Sequence, residues 1–266
     1  MIAAARTAAT AGPQRIELAD VLDRYGDAYQ RQHPLRPAQA KVVRAIRRCR
    51  TAALGGHCDW CSQCGFFRYA YHSCRNRHCP KCQTFAKEQW LQARRHELLP
   101  TPYFHNVFTL PHELNPLILR SEQNQRLLLR LLFQATAQTL LQFGRNNLGG
   151  QLGFTLVLHT WDQQLRPHFH LHAVIAAGAL SPAGDRWIFA GRRFLFPVRA
   201  LSQVFRAKFV EQLTDLLDTG QLQLPSGLAQ LASAHARRQW LRHLKKKPWI
   251  VYSKAPFAGP QKLLDY

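Results

Sequence analysis

His168, His170 and His172 alternate with Phe169 and Leu171 and lead into Ala173, Val174 and Ile175. On a strand every second side chain shares a face, so this spacing gathers three imidazoles on one side and turns Phe169 and Leu171 toward a core. Neutral imidazoles ligate Mn, Zn, Fe, Co or Ni, and an ion with open coordination positions polarises a phosphate oxygen. The bland alternative is a His-rich strand edge bonded to backbone and water. It suits a single histidine, a residue of intermediate burial, better than three in period-two register.

Six of the seven cysteines lie between Cys58 and Cys82, and Cys49 stands alone upstream. An odd count without a secretory signal argues for metal ligation in a reducing compartment rather than for disulfides. Cys61-x-x-Cys64 and Cys79-x-x-Cys82, fourteen residues apart, read as two knuckles whose thiolates suit one tetrahedral zinc. Gly65 and Pro80 supply the turn chemistry. His57, Cys58, Cys74 and His78 remain: they either hold a second zinc or leave Cys74 and His78 to pack the first knuckle.

Charge narrows the partner. Lys and Arg number 36 against 15 Asp and Glu, a net charge of +21. Such a field recruits polyanions and releases counterions from nucleic acid. A metal hydrolase for small substrates fits poorly with that charge and with the few carboxylates near the His strand. No apolar run reaches the roughly 20 residues needed to span a membrane.

Local cation clusters sharpen this. Arg75 and Arg77 lie between thiol ligands, Lys81 lies inside the second knuckle, and Trp60, Phe66, Phe67, Tyr69 and Tyr71 flank them. Bases stack on such rings while guanidiniums take phosphates, although the same rings also suit the packing of a small zinc domain. Near the other end, Arg237, Arg238, Lys245 and Lys246 sit on a basic helical pattern.

These residues need elements to position them. Helical periodicity predicts helices over residues 16–29, 38–50, 85–98, 117–143, 201–217 and 231–247. Apolar runs bounded by Pro or Gly predict strands over 103–110, 153–161, 168–175, 187–189 and 249–252. The short turn 162–166 favours an antiparallel hairpin that sets His159 beside His168 or His170, making His159 a candidate third ligand. The expectation is an α+β chain: a disordered stretch 1–14, helices and a zinc module over 15–99, and a layered domain with a mostly antiparallel sheet over 100–266.

The run Ser73-Cys74-Arg75-Asn76-Arg77-His78-Cys79-Pro80-Lys81-Cys82-Gln83 resembles the zinc-binding domain of the rolling-circle insertion-sequence transposases of the two-tyrosine HUH class. Tyr103-Phe104-His105, Phe108 to Pro116, Leu158-His159-Thr160-Trp161, His168 to His172, Val251 to Lys254 and Pro256 to Pro260 follow that family's order, so the resemblance spans about residues 18 to 266. It implies an HUH-type catalytic domain in which His170 and His172 hold Mg or Mn, with His159 and His168 as further metal or phosphate contacts. It implies nicking and rejoining of single-stranded DNA at transposon ends through a tyrosine-phosphate intermediate, in the bacterial cytoplasm with the nucleoid.

Tyr266 matches the first of the family's two tyrosines. The second would stand four residues later on the same helical face, beyond the last residue, so the resemblance implies a chain shortened at its carboxyl end. The alternative is a remnant that only binds DNA, through the zinc module and basic helices.

Overall fold

The computed structural model describes residues 16–191 and 195–254. The expected disordered stretch 1–14, the segment Pro256 to Pro260 and Tyr266 lie outside the described residues. The chain divides into two compact units, Met1–Glu97 and Leu98–Tyr266.

In the first unit, α1 (Leu18–Gln32) and α2 (Pro37–Arg48) open on capping boxes, and Pro37 occupies the first helical turn, where its missing N–H costs nothing. Arg47 ties the pair together through Asp23 at 2.5 Å and Asp27 at 2.8 Å. A two-stranded antiparallel hairpin follows, β1 (Gly56–Trp60) and β2 (Phe67–Tyr71), then α3 (Pro80–Glu97). The helix predicted from residue 85 therefore starts five residues earlier, because Pro80 serves as a first helical residue and lets the second knuckle flow into the helix. The buried centre is small: Ile46, Cys49 and Cys79, with Ala19, Leu22, Val42, Cys74 and Cys82 against it. So few apolar groups leave a unit of this size dependent on a further cross-link, and thiols form the middle of it.

The second unit is a sheet with helices. Its elements are β3 (Tyr103–Thr109), α4 (Asn115–Ile118), α5 (Glu122–Phe143), β4 (Gln151–Trp161), β5 (Pro167–Leu180), β6 (Trp187–Phe189), α6 (Val198–Asp218), α7 (Ala234–Lys246) and β7 (Val251–Lys254). The strands run in the order β4-β5-β3-β7 with β6 added to β5, and every pairing is antiparallel. The fold is α+β. The predicted helix 117–143 is two helices, broken where Ser121 caps α5 by accepting a bond from the Asn124 amide at 3.2 Å. The basic helix starts at Ala234 rather than 231, because 226–232 is a 3-10 turn after Pro225.

Alternation on β5 sorts the sheet's two faces. Phe169, Leu171, Ala173 and Ile175 join Phe104 and Phe108 of β3 in the core with Leu128, Leu132 and Leu140 of α5 and Phe205 and Phe209 of α6. Phe108 meets Phe205 edge-on at 5.2 Å, and Trp249 closes on Phe205 at 5.4 Å while its indole N–H donates to the Leu244 carbonyl. The opposite face carries the even-numbered residues of β5, the histidines among them.

Candidate metal centres

The hairpin register places His159 of β4 directly across from His170 of β5, with Val157 across from His172. The ligand-capable nitrogens of His159, His170 and His172 all lie within 4.8 Å of one another. His170 is buried, His172 half-buried and His159 exposed, so the cluster has a wet side and a protected side. His170 Nδ1 lies 3.0 Å from the His168 carbonyl, to which it donates, and that bond leaves the Nε2 lone pair for a ligand. His172 Nδ1 lies 2.8 Å from His105 Nε2 on β3, a second hydrogen bond of the same kind.

Burial disfavours the charged form of His105, His168, His170 and His172. Burial, then the neighbouring imidazoles of His159, His105 and His170, lowers His172 from 6.5 to about 4. Burial likewise lowers His105, His168 and His170 below the ordinary range. Neutral imidazole is the ligating form. An all-imidazole set adds no negative charge, so a divalent ion there keeps its full charge for an anionic group. His168 is outside the ligand-grade group but packs on His170 with ring centroids 4.8 Å apart, and its Nδ1 meets His112 Nε2 at 3.0 Å.

The thiols group differently from the sequence expectation. Sulfurs of Cys49, Cys74, Cys79 and Cys82 gather within 4.8 Å, with Cys82 at 3.6 Å from Cys49 and 3.7 Å from Cys74. A tetrahedral zinc with arms of about 2.3 Å has sulfur–sulfur edges of about 3.8 Å, so the donor set and its size fit that ion. Burial, reinforced by thiol neighbours, pushes Cys74 up to about 12. Burial also pushes Cys82 up, but hydrogen bonds from Cys49, Cys74 and Cys79 outweigh it and bring Cys82 down to about 7. Cys61 and Cys64 do not join Cys79 and Cys82; they are exposed, in the turn that follows β1. The second expected set is dispersed too. His57 and Cys58 are consecutive on β1 and face opposite ways, Cys74 belongs to the thiol cluster, and exposed His78 accepts from Arg77 at 3.2 Å.

Comparison with known proteins locates the chain. Residues 21–110 match the family "Transposase zinc-binding domain" and residues 153–266 match the family "Putative transposase". Across 97% of its length the chain is 49% identical to "Putative transposase y4qJ" of Sinorhizobium fredii. In order along the chain, it is thus similar to both parts of transposases that carry this zinc-binding domain. The transposase for insertion sequence element IS801 of Pseudomonas savastanoi pv. phaseolicola is 28% identical over 80% of the chain. The chain spans 64% and 52% of the lengths of these two relatives. A solved structure, the conjugative relaxase TrwC in complex with OriT DNA, overlaps 60% of this chain and 69% of its own at 18% identity and a TM-score of 0.34.

The expected DNA-contact cations split into two groups. Lys81 is paired with Glu17, and Arg237 with Asp218 at 2.9 Å, so both serve the packing of their own units. Arg75, Arg77, Arg238, Lys245 and Lys246 are exposed. Among the described residues no helix is long and apolar enough to cross a membrane. Sequence reasoning missed Cys49, His105 and His112 as members of these clusters. Cys49 carried one usable signal: it lies seven residues after Val42 and three after Ile46, in step with the apolar stripe of α2 just past its last residue.

Proposed function

We propose that this protein is a transposase that nicks and rejoins single-stranded DNA at transposon ends by metal-assisted tyrosine attack, as in rolling-circle transposition. The observation that carries the reading is the triad His159, His170 and His172, three imidazoles converging on one sheet face of a +21 chain. His170 and His172, joined by His159, hold the divalent ion; when bound, it polarises a phosphate oxygen and stabilises charge developing at phosphorus. Magnesium prefers an oxygen shell, so the nitrogen donors favour manganese of the two expected metals. Cys49, Cys74, Cys79 and Cys82 hold a structural zinc. His168 and His112 lie beside the triad, where a phosphate oxygen can accept from them.

Tyr266 is the nucleophile that the family resemblance supports. Its phenol gives up a proton and its oxygen bonds phosphorus; the bond to the 3′ oxygen breaks, and that oxygen leaves as a hydroxyl after taking a proton. The 5′ phosphate stays on the tyrosine, and the reverse step joins strands. Tyr252 is a second phenol to be tested, because the register runs Tyr252 to Val107 to His172 along one row of the histidine face.

The test is a labelled single-stranded transposon-end oligonucleotide incubated with protein and manganese. A covalent adduct that disappears in Tyr266→Phe and in the double variant His170→Ala, His172→Ala supports the reading. An adduct lost only in Tyr252→Phe moves the nucleophile to β7. Tight binding without an adduct leaves a module that recognises DNA and does no chemistry.

A further inference from the structure

The hairpin β1–β2 shows an unusual face. Its register is Gly56 with Tyr71, Cys58 with Tyr69, and Trp60 with Phe67. Alternation puts these six residues on one side of the ribbon and sends His57, Asp59, Arg68 and Ala70 to the other. The four rings are exposed: Trp60 at 61%, Phe67 at 55%, Tyr69 at 71% and Tyr71 at 49%. Trp60 and Phe67 stack with centroids 6.4 Å apart and planes 29° from parallel. Scattered single aromatics on a surface need no explanation, but four on one face of a two-stranded ribbon do.

We infer that this aromatic face is a stacking platform for unpaired bases of single-stranded DNA. This rests on DNA being the partner, as proposed above. The residues opposite the tyrosines are small, so nothing on β1 covers the rings of Tyr69 and Tyr71. A Cβ at Gly56 would stand 2.6 Å from the Ala70 carbonyl oxygen, so a bulkier residue cannot enter there without moving backbone. Tyr69 and Tyr71 repeat along the strand at about 6.8 Å, and a flat base touching a ring on each side needs about 7 Å. The one carboxylate of the two strands, Asp59, points to the far side.

Cations stand where a strand's phosphates would pass. Arg50 and Arg75 line a cleft of about 650 Å³ at the ribbon's edge, which Tyr69 and Tyr71 reach from one face and His57, Arg68 and Ala70 from the other. Arg50 and Arg75, at the two ends of the hairpin, hold left-handed backbone at φ 57° and 51°. That conformation is uncommon for a side chain of this size, and strain of this sort gathers at functional positions. Rings plus guanidiniums, without base-edge donors in fixed geometry, recognise unpaired nucleotides with little sequence preference; bases already stacked in a duplex offer no free face.

The test uses the full chain and three labelled probes of equal length: oligo-dT, a duplex, and an abasic strand that keeps the phosphates. Tyr69→Leu and Tyr71→Leu keep apolar bulk and remove the π face; Tyr69→Phe and Tyr71→Phe keep it. We expect each Leu substitution to weaken oligo-dT binding about tenfold and each Phe substitution to leave it near wild type, with duplex and abasic affinities unchanged. Zinc content is measured on every variant. Unchanged oligo-dT binding in the Leu variants overturns the platform while leaving DNA as partner. A parallel loss on all three probes with loss of zinc overturns it in favour of a packing role. A dimer that becomes monomeric in the Leu variants overturns it in favour of a second copy of the chain. A wild-type protein that binds none of the probes overturns this inference together with the proposed function.

Discussion

His105 Nε2 and His172 Nδ1 lie 2.8 Å apart, linking β3 to the imidazole triad on β4 and β5. For His172 to ligate through Nε2 it must carry its proton on Nδ1, and His105, 3% exposed and held below the ordinary histidine pKa by burial, is a neutral acceptor for it. An outer partner of this kind fixes the tautomer and the ring angle of a ligand.

Replacing His105 by Ala is accordingly expected to weaken manganese binding by roughly 10- to 100-fold, the usual cost of losing such a partner. His105→Gln, which keeps an acceptor, recovers part of it. Calorimetric titration of the metal alone reads this without DNA. Equal affinities in all three proteins would dismiss the role.

Acid sensitivity follows from the same face. In the metal-free protein His172 titrates near 4 rather than 6.5, so between these values the unfolded chain binds more protons than the folded one. Stability present above about pH 6.5 is therefore lost as the pH falls toward 4. Urea midpoints measured across that window will drop, and they will drop less in His172→Gln. A flat profile would contradict the depressed pKa.

Zinc stoichiometry separates the two thiol groups. Cys49→Ser is expected to release the ion and unfold the first unit, since Cys49 supplies both a ligand and a share of its small core. Cys61→Ser with Cys64→Ser should leave that ion in place. Elemental analysis and thermal melts decide it, and zinc retained in Cys49→Ser would undo the assignment.

Salt titration sorts the cations. Alanine at Arg238, Lys245 or Lys246 is expected to lower the slope of log K against log salt by about 1 for each phosphate no longer neutralised. Arg237→Ala, which removes a partner of Asp218, should change the slope little and cost stability of no more than about 1 kcal/mol. Similar slopes in all four variants would refute the division.

The histidine strand was legible because β spacing is a property of the chain: His168, His170 and His172 share a face wherever that strand lies, and the five-residue turn 162–166 fixed His159 as the cross-strand neighbour. His105 was hidden by distance, since its partner is 67 residues away and only the sheet order brings them together. Cys49 was hidden for a related reason. Ligand spacing rules find close pairs, and Cys49 lies 25 residues from Cys74. The hairpin escaped because Gly56–Trp60 and Phe67–Tyr71 turn their rings to solvent, which inverts the usual link between apolar residues and core. The break before Ser121 was masked by apolar residues on both sides of it.

Cys49 and Cys74 stand just outside the two ends of the hairpin and converge on one cluster. The ribbon between them is thus a clasped loop, held at its stem by the thiols and at its tip by two backbone hydrogen bonds, Cys61 to Phe66 and Gly65 to Cys61. Side chains between the strand ends, Gly56 apart, can therefore be exchanged while the clasp and the imidazole triad keep their own ligands. On the proposed reading, grip on an unpaired strand is then adjustable separately from the chemistry at the imidazoles.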